Sequence, residues 1–428
     1  MNKDVSAPAR QPVLASVASL VGTTIEWYDF FLYGTAAALI FNKLFFPKID
    51  PVAGTLAAFA TYAVGFLARP LGAAIFGHYG DRIGRKSMLL VTLMLMGIPT
   101  TAIGLIPTYN SIGYSAACLL VLMRFLQGMA VGGEWGGAAL MAVEHAPAHR
   151  RAFFGSMPQV GVGAGLILSS LAMAAVARLP EADFLSWGWR LPFLASVLLL
   201  GVGAFIRLRV AESPAFAEIK AGRQQARLPV LEVFRSHGGA VARAAGARMV
   251  ETTWFYTVAT FALSYITQQL GQPKALALNA IVAGAAVSLI TTPLAGYLSD
   301  RIGARRVFMT GAVLVALGGV AFFNLLATRD SGLLYVAMVM AIGGIFPLLY
   351  APESALFSAQ FPPEVRYSGI SLSVQLAGAI AGGSAPLVAT SLLAAGHGDP
   401  WMIEAYLAGL SGLALVCCFY LKEVDQQA

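Results

Sequence analysis

The feature that most restricts this chain is a nearly uncharged run from Val13 to Phe41, followed by eleven others of similar character. A helix needs about 20 mostly apolar residues to cross a bilayer. The runs occupy 14–40, 53–77, 87–106, 114–142, 153–177, 188–208, 241–269, 275–298, 307–327, 332–357, 367–395 and 401–421. Backbone groups in lipid have no water to bond, so runs of this length satisfy them within helices. A membrane β-barrel would show short alternating segments instead. The expected fold class is therefore an all-α membrane protein with twelve transmembrane helices. Composition agrees: 11% of residues are charged, against about 25% in a soluble domain. The first run is too long and too acidic for a cleaved signal peptide, and reads as a retained helix.

The net charge of +7 does not point to nucleic acid, because the bases are spread over short loops. With the N-terminus inside, inside segments hold nineteen Lys and Arg and outside segments hold five. That bias orients a membrane protein and predicts a multi-pass protein of the bacterial inner membrane with both termini cytoplasmic. Cys118, Cys417 and Cys418 fall in apolar spans without pairing or metal spacing. No metal or cofactor is expected.

The longest polar stretch, 209–240, carries Arg209, Lys220, Arg223, Arg227 and Arg235. It divides the chain into six-span halves, 1–208 and 241–428, with a cytoplasmic loop between them. The halves repeat. "GHYGDRIGRK" at 77–86 follows span two and "GYLSDRIGAR" at 296–305 follows span eight, with five of ten positions identical. "EHAPAHR" at 144–150 and "QFPPEVR" at 360–366 follow spans four and ten and share Pro147/Pro363 and Arg150/Arg366. Two matches in equivalent loops indicate a duplicated, pseudo-symmetric six-helix unit.

These loops, the two halves and the basic central segment resemble the major facilitator superfamily over nearly the whole chain. "EWYDFFLYG", "RFLQGMAVGGEWGGA", "WGWRLPF" and "FPPEVRYSG" further resemble its metabolite:proton symporter family, which imports shikimate, 2-oxoglutarate, citrate, proline and betaine. The resemblance implies that the loop after span two latches the cytoplasmic ends of the halves together. It assigns gating to Gly77, Asp81, Arg82, Gly84 and Arg85, and to Asp300, Arg301 and Gly303 in the second copy. An acid in such a loop faces the positive N-terminal end of a neighbouring helix. Ala304 stands where the first copy has Arg85, so the two latches are expected to be unequal. The alternative is a loop that only sets topology.

A charge at mid-bilayer costs about 2.5–3.5 kcal/mol on insertion scales and normally faces a cavity. The candidates are Glu26 and Asp29 in span one, Arg124 and Glu134 in span four, Arg248 and Glu251 in span seven, and Glu353 in span ten. Spans one, four, seven and ten line the central cavity in the superfamily. At ~1.5 Å per residue, Glu26, Asp29 and Arg124 fall near the midplane. Glu26 and Asp29 share one side of a helical wheel. Two nearby carboxylates in low dielectric do not both ionise readily. The trio is expected to couple protons, with Arg124 tuning the acids or binding a substrate carboxylate bidentately. The competing reading is a permanent bridge that only fixes helix packing. Arg248 lies three residues before Glu251, so these two share a face and can neutralise each other.

The substrate-binding set is completed by Tyr33, Gln127, Gln159, Trp254, Tyr256 and Gln375, deep aromatic and amide groups able to wall a cavity or orient a polar solute. A channel is disfavoured because no filter-like loop is present. An enzyme is disfavoured because no nucleophile–base arrangement, metal cluster or phosphate loop is present; the five histidines sit in or beside loops. The expected function is proton symport of a small organic acid, shikimate-like or a keto/dicarboxylic acid, by alternating access. The alternatives are a zwitterionic osmolyte such as proline or betaine, with Glu251, Trp254 and Tyr256 recognising a quaternary amine, or exchange or uniport of the same solutes. The partners expected are a small solute, the proton and the lipid bilayer, with no nucleic acid, and a monomer that functions alone.

Overall fold

In a computed structural model the described residues of every expected span are mainly helical. The structure describes residues 10–83, 85–132, 135, 139, 142–143, 146, 148–209, 229–362 and 366–423. Numbered by span, the helices are α1 Arg10–Ala36, α2 Pro51–Ile83, α3 Arg85–Ile103, α4 Tyr114–Gly132, α5 Arg151–Val176, α6 Arg190–Arg209, α7 Pro229–Tyr256, α8 Lys274–Ile302, α9 Ala304–Ala327, α10 Phe346–Ser358, α11 Arg366–Ala377 and α12 Trp401–Phe419. Among the described residues nine helices are long and apolar enough to cross a bilayer. Helix α7 begins at Pro229, with a non-helical residue at His237; residues 210–228 of the central segment lie outside the described residues.

The packing displays the duplication. In the first half α5 packs on α1, α4 on α2, and α6 on α3. In the second half α11 packs on α7, α10 on α8, and α12 on α9. Adding six to each helix number converts one set into the other. The contacts between halves obey the same rule: α5 lies against α8, and α11 with its continuation lies against α2.

Several of the helices are interrupted by π-helical segments. α1 continues through a π-helical segment at Ala37–Phe41, α7 through Thr257–Phe261, and α11 through Gly378–Gly382. Ser331–Met338 reaches α10 through Val339–Ile345. Such segments leave backbone carbonyls without their usual partner and often mark functional sites. Pro347 and Pro386 sit in the first turn of the helices that follow, where a missing N–H costs nothing. Pro158, Pro293 and Pro352 lie inside helices and remove an intrahelical hydrogen bond.

Backbone contact joins α2 to α4. A Cβ at Gly128 would overlap the Gly65 carbonyl, and one at Gly72 the Met129 carbonyl. Small residues give helices in lipid this approach, where dispersion and not water drives packing. Arg69 of α2 and Arg124 of α4 are carried by this tight pair.

Candidate functional site

The halves enclose a cavity of about 30 Å³, room for roughly two water molecules. Glu26, Trp27 and Arg69 enter it from the first half, and Arg248, Glu251, Tyr256, Tyr350 and Gln375 from the second. A smaller adjoining space is bounded by Glu26, Trp135, Gln159 and Ser354.

On the second-half side, Arg248 forms an ion pair with Glu353 and lies 3.7 Å from Glu251. Its guanidinium also sits 4.9 Å from the Trp135 ring, and the Trp135 indole donates to the Tyr350 hydroxyl at 3.3 Å. Glu353 is fully buried, so the pair is a fixed element of the second half that reaches the cavity through Arg248.

On the first-half side the expected trio separates. Glu26 lines the cavity. Asp29, one turn on, points into its own half, beside the Thr100 and Ser196 hydroxyls. Arg124 is fully buried, with its guanidinium 4.1 Å from the Phe30 ring, 4.5 Å from Tyr33 and 4.6 Å from Tyr62. It donates to Gln127 at 3.2 Å, and Gln127 donates to Thr100 at 2.7 Å. These groups form a polar thread from Arg124 toward Asp29 behind the cavity wall, and Tyr33 bonds Thr61 at 2.6 Å in the same layer.

The remaining candidates divide in the same way. Tyr256 and Gln375 line the cavity. Trp254 is buried in the second half, where its indole donates to the Ala341 carbonyl at 3.1 Å. Gln159 bridges the halves, donating to Ser354 at 2.8 Å. Arg69 is the cavity group that sequence reasoning passed over. It stands inside span two, so the cost of a charge in lipid was the signal available for it. Tyr350 gave no comparable signal.

Polar contacts close the seam between halves at both ends. At the end where α5 begins, Asp300 accepts from the Ala152 and Phe153 N–H groups, each at 2.9 Å. Its carboxylate thus caps the positive end of a helix from the other half. The Ser354 hydroxyl bonds the Gly155 carbonyl at 3.1 Å nearby. At the opposite end Gln268 donates to the Ala38 carbonyl at 3.0 Å and accepts from Thr55 at 3.3 Å. Arg301 lies 5.0 Å from the Tyr297 ring. Gly303 turns the chain between α8 and α9 at φ +101°, a conformation suited to glycine. Gly84 and the side chains of Asp81, Arg82 and Arg85 lie outside the described residues, as does any Cβ environment at Gly77.

Two pseudo-symmetric helical halves, in polar contact on either side of a charged cavity between them, define a carrier of the alternating-access class. Residues 14–256 match the family model "Sugar (and other) transporter", and residues 245–428 match "Major Facilitator Superfamily". The chain is 41% identical to the shikimate transporter of Escherichia coli (strain K12), covering 96% of this chain and 94% of that one. It is 31% identical to the proline/betaine transporter of Salmonella typhimurium, over 96% of this chain and 83% of the relative. The fold matches a crystal structure of a D-xylose-proton symporter with a TM-score of 0.74 at 18% identity, covering 97% of this chain and 99% of that one. The chain belongs to the major facilitator superfamily, within its group of metabolite transporters.

Proposed function

We propose that this transporter carries a small organic acid together with a proton, and that shikimate or a similar hydroxy acid is its solute. The observation that supports this most is the balance of buried charge. Among the described residues, four carboxylates (Glu26, Asp29, Glu251 and Glu353) and three guanidiniums (Arg69, Arg124 and Arg248) are buried. An uncompensated charge in so dry a site costs several kcal/mol. These seven groups are therefore neutral together only with a proton on one acid, and each anionic charge that joins them brings another proton. Glu26 is the acceptor in this reading, because it faces the cavity while Glu251 and Glu353 flank Arg248. Asp29 and Arg124 act from behind, setting the field at Glu26 through α1.

Asp300 and its two backbone partners form the latch at the cytoplasmic end, and Gln268 with Thr55 and Ala38 forms its counterpart at the outer end. The protein works as a monomer in the bacterial inner membrane, its termini cytoplasmic and its halves spanning 1–208 and 241–428. The relative named for proline and betaine supports a second reading, a zwitterionic osmolyte, for which Glu251 and Tyr256 would meet the quaternary amine.

The test is solute-induced pH change. Purified protein is placed in liposomes containing a pH dye, without an imposed gradient, and empty liposomes correct for weak-acid leak. Shikimate is expected to acidify the interior and glycine betaine is not. Acidification by betaine alone would transfer the assignment to the osmolyte reading. Solute entry without proton movement would remove the symport assignment.

A further inference from the structure

We propose that Arg69 is the anchor for the solute's carboxylate, which it grips by two parallel hydrogen bonds from the Nε–Nη2 edge of its guanidinium. The proposal rests on the transport reading above and deepens it, by assigning the solute's charged end to one residue and one half. Arg69 lines the cavity and is 7% exposed. Its Nε and Nη2 are both buried and have no hydrogen-bond partner. These two N–H groups lie on the same side of the planar fork and point the same way, the arrangement that matches a carboxylate's two oxygens.

The rest of the side chain is fixed without using that edge. The guanidinium lies 4.0 Å from the Phe66 ring and 4.6 Å from Phe30, so the cation is held against two aromatic rings. The Tyr256 hydroxyl is within hydrogen-bonding reach. Gly378 also lines the cavity, and even a Cβ there would stay 3.8 Å from Arg69 Nη1. At Gly378 the π-helical turn of α11 thus presents no side chain to the Nη1 side of the cation.

The other two buried arginines are committed. Arg248 has Glu353 and Glu251. Arg124 also leaves Nε and Nη2 unbonded, but it does not reach the cavity, and a Cβ on Gly65 would come within 2.6 Å of its Nε. The α2 backbone covers that edge, so a solute in the cavity cannot approach it. Among the described residues, Arg69 is the cavity-lining guanidinium that forms no ion pair within 4 Å, whereas Arg248 forms two. A buried cation left in that state is costly, and an incoming anion recovers the cost as affinity.

The second end of the solute is indicated by Gln375. Its Oε1 is buried without a donor, on the second-half wall of the cavity. A carboxylate on Arg69 and a hydroxyl donating to Gln375 would tie the two halves through one small molecule. The class that fits is a hydroxy acid, whereas glycine betaine has no hydroxyl to offer Gln375.

The experiment is calorimetric titration of the purified full-length protein with shikimate, its methyl ester and glycine betaine, alongside proton-coupled uptake in liposomes. The unaltered protein is expected to bind shikimate at least 50-fold more tightly than the ester. Arg69→Gln is expected to weaken shikimate binding at least 50-fold, and Arg69→Lys, which keeps charge but loses the fork, about 10-fold. Arg69→Gln or Arg69→Lys binding shikimate within threefold of the parent would overturn the assignment, and so would ester binding as tight as that of the acid. The ester comparison needs no variant and decides the point should Arg69→Gln fail to fold. Symport that persists in Arg69→Gln strikes only this proposal. The absence of proton-coupled uptake of shikimate and betaine by the unaltered protein strikes the transport reading beneath it.

Discussion

Replacing Asp300 with Asn tests the proposed latch, in which one pair of hydrogen bonds closes the end where α5 begins, the cytoplasmic end in the proposed orientation. The carboxylate accepts from two backbone N–H groups of α5, Ala152 and Phe153, at 2.9 Å each. Hydrogen bonds to a charged group contribute about 1.5–3 kcal/mol, and a charge at a helix N-terminus up to about 2 kcal/mol. Asn keeps one acceptor oxygen and no charge, so one bond and the interaction with the helix end are lost. The closed cytoplasmic seam should weaken by about 2–3 kcal/mol, which at 1.4 kcal/mol per factor of ten is roughly a 30- to 150-fold shift toward the inward-open state. Val143 reports that state. It is 5% exposed and sits in the seam, since a Cβ on Gly155 would meet both Val143 and Ser354 at 3.0 Å. With Cys118, Cys417 and Cys418 replaced by Ala, a Val143→Cys reporter is labelled by maleimide from the cytoplasmic side. The Asp300→Asn background should label at least tenfold faster. A rate within twofold of the parent would refute the latch and the energy assigned to it.

Gln268→Ala should act in the opposite direction: losing the contacts to Ala38 and Thr55 favours the outward-open state and slows labelling at the same reporter by about threefold. Glu26→Gln should abolish proton-driven accumulation while counterflow of preloaded solute survives; accumulation at the parent level would remove Glu26 from coupling. Gly128→Ala should force α2 and α4 apart, because its Cβ meets the Gly65 carbonyl and not a movable side chain. The cost is about 1–3 kcal/mol of overpacking, read as a lower melting temperature of the purified protein. An unchanged melting temperature would show that the helix pair relaxes freely.

The duplication was legible because it is written twice over, in the GxxxDRxG loops at 77–84 and 296–303 and in the spacing of the spans. A membrane helix announces its length through hydropathy, and its neighbours follow once the halves are known to repeat. Its orientation about its own axis is harder to read. A soluble helix marks its buried face by an apolar stripe, but a helix in lipid is apolar all round. Glu26 and Asp29 show the consequence. They lie on one side of the wheel, yet in the structure Glu26 borders the cavity and Asp29 turns toward Thr100 and Ser196. Depth ranks such residues correctly by cost and says nothing about which side of the wall they occupy.

Arg69 and Arg124 make the same point for cations, and it bears on how the carrier works. Both are arginines in spans, both are buried, and both stack on Phe30. Their difference lies in what α2 and α4 do to each other. Glycines at 65, 72 and 128 bring the two backbones into contact, which seals the unbonded edge of Arg124 against α2. Arg69, on the cavity side of the same pair, lines the cavity with its Nε and Nη2 buried and unbonded. A field set by a sealed cation stays constant as the halves rock, because α2 and α4 belong to one half and move together. A cavity cation with no ion-pair partner of its own responds to an anionic solute. In the proposed mechanism the close packing of α2 on α4 sorts two chemically identical side chains into a charge buried behind the wall, Arg124, and a charge that shares the cavity lining with Glu26, Arg69. In that proposal the acid senses the anion's arrival against a background that does not change.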